Sequence, residues 1–156
     1  MTISKEKKLK ITELDKNIIN ILQENSRLSC REIAKEVKFS AVTVMKRIKY
    51  LKDNKIIKKF GIWIDHERLG YDICVLVQLK LTKENLDKTE TQIAKHPNIL
   101  RVYDITGPFD CMVIAKFKSR KQLDNFIKKL GTYEGVLRTE TVLVFNIYKE
   151  GSIMIE

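Results

Sequence analysis

The sequence predicts an α+β protein in two parts, an N-terminal winged helix-turn-helix domain followed by a ferredoxin-like β-α-β-β-α-β domain. Three observations carry this. Two capping boxes, Thr12-x-x-Asp15 and Ser29-x-x-Glu32, open short stretches of helical apolar spacing before residue 54. Beyond residue 70, Val- and Leu-rich strand runs alternate with two amphipathic stretches. Positive charge is concentrated in the first part: residues 1–70 hold 17 Lys and Arg against 9 acids, and residues 71–156 hold 13 against 11. The predicted segments are 1–56 (winged helix-turn-helix), 57–70 (wing strand and hinge), 71–150 (ferredoxin-like) and 151–156 (tail).

Residues 1–11 read as a short basic arm or frayed helix start. A helix follows to about Asn25, with Leu14, Ile18, Ile21 and Leu22 at helical spacing; Asn25-Ser26-Arg27 breaks it. Ser29 and Glu32 open a second helix with Ile33, Ala34 and Val37 inward. Only Lys38-Phe39 separates it from Ser40, which caps a third helix running to Asp53. There Val44, Ile48 and Leu51 form the apolar stripe, while Val42, Thr43, Lys46 and Lys49 point elsewhere. Asn54 is placed as a left-handed C-cap. Residues 56–64 are β-rich and suit a wing, and residues 65–70 end in Gly as a hinge.

Two short helices joined by a tight turn, the second one basic, form a helix-turn-helix. From Lys38 to Phe60 there are seven Lys and one Arg against one acid, Asp53. Such a stripe suits double-stranded DNA, with the third helix in the major groove. Ser40 opens that helix at the DNA. Val42 and Thr43 are base-edge candidates, and Lys46 reads guanine or neutralises phosphate. Lys49, with Lys38, Lys58 and Lys59, is placed on the DNA backbone, and Arg47, at the flank of the stripe, is placed on phosphate or on a neighbouring helix. An ordinary three-helix bundle with a Lys-rich, solubilising surface gives a similar pattern.

In the second part, residues 71–81, 99–106, 109–117 and 136–148 read as strands. Residues 85–95 read as a helix, and Ser119-x-x-Gln122 caps another. With both helices on one face, the other face needs cover. Val75, Val77, Leu79, Leu143 and Phe145 are assigned to it, which points to self-association.

The net charge of +10 and the absence of a long apolar run exclude a membrane span and point to a soluble, cytoplasmic protein. Cys30, Cys74 and Cys111 form no C-x-x-C pair, so neither a metal site nor a disulfide framework is indicated. No catalytic set and no cofactor is indicated.

The ordered series Leu14-Asp15, Arg31-Glu32-Ile33-Ala34, Thr43-Val44-x-x-Arg47-Ile48-x-x-Leu51, Ile57, Leu69-Gly70, Thr106-Gly107-Pro108-Phe109-Asp110, Gly135-Val136, Thr139 and Thr141 resembles the Lrp/AsnC (leucine-responsive/asparagine regulator) family along most of the chain. The family usually has Gly where Asn54-Lys55 stands. The resemblance implies a transcription regulator that binds palindromic promoter sites as a dimer, commonly assembled into tetramers or octamers, and often answers to an amino acid. It also implies an effector site resting on Gly107 and Asp110, with Asp104, Thr106, Thr139 and Thr141 nearby. A zwitterion needs a carboxylate for its ammonium and hydroxyl or N–H donors for its own carboxylate. Turn chemistry alone also explains Gly107 and Asp110. Two rivals stand beside this reading. One is an architectural DNA binder without an effector. The other is an enzyme like the haem-pathway decarboxylases that resemble the family, for which only His66 and His96 are on offer.

Overall fold

The computed structural model describes residues 9–156, so the expected arm lies, up to residue 8, outside the described residues. Two compact units emerge. One comprises the chain up to Trp63 together with Glu150–Glu156, and the other is Ile64–Lys149.

The first unit holds α1 (Glu13–Glu24), α2 (Cys30–Val37) and α3 (Ala41–Asp53). Both capping boxes form. The Thr12 N–H donates to Asp15 Oδ2 at 2.8 Å, and the Ser29 N–H to Glu32 Oε2 at 2.7 Å. Ser40 Oγ accepts from the Thr43 N–H at 3.0 Å and starts α3. These caps satisfy N–H groups that a helix's first turn leaves without partners. Ile18, Leu22, Ile33, Ala34, Val44 and Leu51 form the buried core, with Ile48 packed at its margin.

Lys38 takes the left-handed conformation (φ 58°) that turns the chain between α2 and α3. The end of α3 corrects the expectation for Asn54, whose φ is −89°. The left-handed residue is its neighbour Lys55 (φ 57°), while Asn54 Nδ2 donates to the Tyr50 carbonyl at 2.8 Å. Because the Asn54 amide closes the last turn, the reversal falls one residue later.

The wing strand does not form: no ladder exists over residues 56–64. Alternation makes a segment extended, but a strand needs a partner, and the described residues of the helical unit offer none. The Ser26 hydroxyl donates to the Gly61 carbonyl at 3.1 Å, while Ile62 and Trp63 stay exposed.

The second unit begins with a 3-10 turn, Glu67–Leu69, and Gly70 (φ 81°). Then come β1 (Ile73–Leu81), α4 (Leu86–Ile93), β2 (Ile99–Asp104), β3 (Cys111–Phe117), α5 (Arg120–Leu130) and β4 (Val136–Val144). All pairings are antiparallel, in the order β2-β3-β1-β4. This is the ferredoxin-like arrangement. α4 is shorter than expected because a 3-10 turn, Lys83–Asn85, takes its start. β4 stops at Val144 because its partner β1 reaches only Cys74 in the ladder.

The faces of the sheet are the reverse of the expectation for β1. Val75, Val77 and Leu79 are fully buried in the core with Ile93, Phe126 and Leu130. Leu143 pairs with Val75 and shares that side at the sheet's edge, half exposed; Phe145 lies beyond the strand. A one-residue change of phase moves every side chain to the other face, and both phases of β1 are apolar enough to read as inner. The uncovered face carries Leu76, Gln78, Met112, Ile114, Tyr103 and Val142.

Candidate nucleic-acid interface and effector cleft

The first unit presents α3. Val42, Met45, Lys46 and Lys49 recur at i, i+3, i+4 and i+7 and are all exposed, so they form one outward stripe opposite Val44 and Leu51. Met45, 54% exposed, is absent from the residues expected from the sequence. The signal was available, since it stands three residues after Val42 and four before Lys49. Thr43 is half-buried, and its hydroxyl lies 2.8 Å from that of Ser40, so it works first in the cap. Lys38, Lys58 and Lys59 are exposed.

Of the two placements expected for it, phosphate or a neighbouring helix, Arg47 takes the second. Its Nε donates to Asp15 Oδ1 at 2.7 Å, its Nη2 donates to Asp15 Oδ2, and its guanidinium stacks 4.6 Å from the centre of the Tyr50 ring. Asp15 is wholly buried. A planar guanidinium meeting a carboxylate with two parallel bonds is oriented as well as held. Burial would push the Asp15 pKa up. The hydrogen bonds from Arg47 and Thr12, with the Arg47 charge, outweigh that and hold it below the ordinary 3.8. Arg47 therefore fastens α3 to α1 through Nε and Nη2.

In the second unit the turn after β2 borders an open cleft of about 550 Å³, lined by Gln78, Asp104, Ile105, Thr106, Pro108, Phe109 and Met112. Gly107 (φ 118°) makes the turn in a conformation side-chain-bearing residues avoid. Asp110 is committed inside the fold. Its Oδ1 accepts from Lys80 Nζ at 2.9 Å and its Oδ2 from the Leu81 N–H at 2.8 Å, and these donors hold its pKa below the ordinary carboxylate value. Thr139 and Thr141 lie on β4 opposite Leu79 and Val77, at the far edge of the sheet from Asp104. The structure thus gathers Asp104, Thr106 and Gly107 and keeps the two threonines apart from them within one chain. β4 approaches the cleft through Arg138, whose guanidinium is 5.7 Å from the Phe109 ring centre. The sequence reading passed over this residue, because only the register sets it opposite Lys80.

His96 Nδ1 accepts from the Asn98 N–H at 3.2 Å, and its ring packs 4.8 Å from that of Phe126. His66 opens the 3-10 turn and meets Tyr71 edge-on. Cys111 is buried, and its thiol is pushed up to about 12 by burial and by the Glu90 charge, so it stays protonated. Among the described residues no cluster of His, Cys, Asp and Glu is arranged to hold a metal ion, and no helix is long and apolar enough to cross a membrane.

Comparison with known proteins agrees with this architecture. The AsnC-type helix-turn-helix domain matches residues 11–52, and the Lrp/AsnC ligand binding domain matches residues 74–154. An uncharacterised HTH-type transcriptional regulator of Pyrococcus abyssi is 39% identical over 140 residues, which is 90% of this chain and 95% of that protein. The HTH-type transcriptional regulator FL11 of Pyrococcus furiosus is 34% identical over 140 residues, 90% of this chain and 93% of its own. Among solved structures, Bacillus subtilis LrpC shares the fold with a TM-score of 0.83 at 28% identity, covering 90% of this chain and 99% of that one. A transcriptional regulator of Neisseria meningitidis in complex with L-Met shares the fold with a TM-score of 0.87 at 21% identity, covering 94% and 97%. With both domains matched in order and a capped helix-turn-helix presenting a basic stripe, the chain belongs to the Lrp/AsnC family of helix-turn-helix, DNA-binding transcriptional regulators.

Proposed function

We propose that the protein acts as a symmetric dimer on partly palindromic promoter DNA in the cytoplasm, each protomer laying α3 in a major groove. The observation that carries this is the exposed stripe Val42, Met45, Lys46 and Lys49 on a helix held rigid by its cap and by the Arg47–Asp15 pair. Val42 and Met45 offer apolar contact to thymine methyls, and Lys46 offers donors to guanine. Lys49, with Lys38, Lys58 and Lys59, supplies phosphate neutralisation. The uncovered sheet face, with Leu76, Met112, Ile114, Tyr103 and Val142, supports pairing of two copies, and further pairing gives tetramers or octamers.

The cleft at Asp104, Thr106 and Phe109 accommodates a small zwitterion such as an amino acid, with Asp104 facing the ammonium. The commitment of Asp110 to Lys80 and Leu81 favours a second reading, a DNA-organising protein without an effector. Calorimetry with a panel of amino acids separates the two: heat from one amino acid, lost in Thr106→Val, supports the effector, and none across the panel supports the second reading. DNA binding is tested on duplexes selected from bound genomic fragments. Replacing Lys46 and Lys49 by Ala should lower affinity and flatten the plot of log affinity against log salt by about 1–2 in slope. An unchanged slope removes α3 from the interface.

A further inference from the structure

The last residues of the chain leave the sheet unit and end in the helical one. β4 stops at Val144, and Glu150–Glu156 belongs with the helix-turn-helix unit. Within this segment, Ile155 is gripped by one side chain on α1. Asn20 Nδ2 donates to the Ile155 carbonyl at 3.0 Å, and the Ile155 N–H donates to Asn20 Oδ1 at 2.9 Å. A carboxamide carries a donor and an acceptor set side by side, as a peptide group does, so it can pair with both main-chain groups of one residue. Such pairing reads the direction and register of an extended segment without reading its side chains. Ile155 is half-buried there, while Ile153 and Met154 remain 76% exposed.

We infer that Asn20 is a docking site for the chain's own C-terminal segment, and that the docked segment is a second tether between the two units. The chain passes between the units at residues 63–64 and again at 149–150. With the tail docked, the helix-turn-helix unit is held through both connections. With the tail released, it hangs on the linker alone. Because the segment joins an already connected unit, docking is intramolecular, and two hydrogen bonds suffice to populate it. The tether thus runs along the chain from β4 to Ile155 and reaches α1 through the two Asn20 hydrogen bonds, apart from residues 64–72.

The test uses the full chain, Asn20→Leu, Asn20→Asp (which keeps an acceptor and loses the donor), and a chain ending at Glu150. Hydrogen–deuterium exchange of the C-terminal peptide reads docking. Trypsin cleavage after Lys58, Lys59 and Arg68 reads the freedom of the linker. Asn20→Leu should speed exchange at Ile155 about tenfold, with Asn20→Asp in between. Both Asn20→Leu and the shortened chain should be cut in the linker several-fold faster, with helix content unchanged by circular dichroism. Should Asn20→Leu perturb α1, the shortened chain, which alters no helix residue, carries the linker measurement. Unprotected exchange at Ile155 in the unaltered chain would overturn the docking. Linker cleavage at the unaltered rate in the shortened chain would overturn the tether.

Discussion

Each unit encloses a carboxylate on its first helix, and the two are shifted in opposite directions from their ordinary pKa values. Asp15 on α1 is completely buried, yet it accepts from Arg47, from the Thr12 N–H and from the Thr12 hydroxyl, and its pKa lies below the ordinary value. Glu90 on α4 is less deeply buried, but its enclosed Oε1 has no hydrogen-bond partner among the described residues. Burial pushes its pKa above the ordinary 4.5; the Cys111 thiol beside it opposes the rise, and the charges of Asp104, Asp87 and Asp110 add to it. The depth of burial is therefore a poor guide to the cost of a buried charge. The partners decide it: the helical unit supplies a guanidinium and two Thr12 donors, the sheet unit a single weak thiol donor.

The comparison can be broken most sharply at Asp15. Asp15→Asn leaves the Arg47 guanidinium without its counter-charge and should cost the helical unit about 3–5 kcal/mol in urea unfolding. Since the folded pKa is depressed, the stability Asp15 contributes is present above its unfolded value and is lost as pH falls below about 3.8, through the folded value. A variant as stable as the parent at pH 7 would show that the pair only orients α3.

Gly135→Ala tests how tightly α4 is seated in the sheet unit. An added Cβ would lie 2.7 Å from Asn85 Cβ and 2.9 Å from Thr82 Oγ1, at a φ of +88° that disfavours any side chain. A loss of about 1–3 kcal/mol is expected in thermal unfolding.

Glu90→Gln should act in the opposite direction from Asp15→Asn and more weakly. With a raised folded pKa, Glu90 is best tolerated while protonated, and stability falls as pH rises from about 4.5 through the folded value. The amide variant should melt higher than the parent at pH 7 and match it at pH 4. Equal melting temperatures at both would mean that water reaches the carboxylate.

The smallest effect is expected at Lys55. Its left-handed backbone costs a side-chain-bearing residue about 1 kcal/mol, so Lys55→Gly should stabilise the helical unit by roughly that amount. No gain would place the strain elsewhere in the turn.

The contrast between the units also governs how much was legible beforehand. α1, α2 and α3 begin where Thr12, Ser29 and Ser40 say they should, because an N-cap is a contact between residues three apart. α4 has no side-chain cap, and it begins one residue after the expected 85 and ends two before the expected 95. The outward stripe of α3 was nearly complete in the sequence, with Met45 missing, and Arg47 stood at its flank with phosphate and a neighbouring helix both open to it. The first is a matter of helical phase, the second of a contact spanning 32 residues.

The amino-acid sequence by itself determined the two-part order, the helix-turn-helix, the basic stripe on α3 and the sequence of strands and helices, all of which rest on local spacing and on charge. Only the tertiary structure decided which face of β1 is covered, that the wing segment has no strand partner among the described residues, that Arg47 belongs to Asp15, and that Asp104 and Thr106 share a cleft while Thr139 and Thr141 stand at the opposite edge. Each of those depends on what lies across a register or beneath a helix, and two residues far apart in a chain carry no local mark of their meeting.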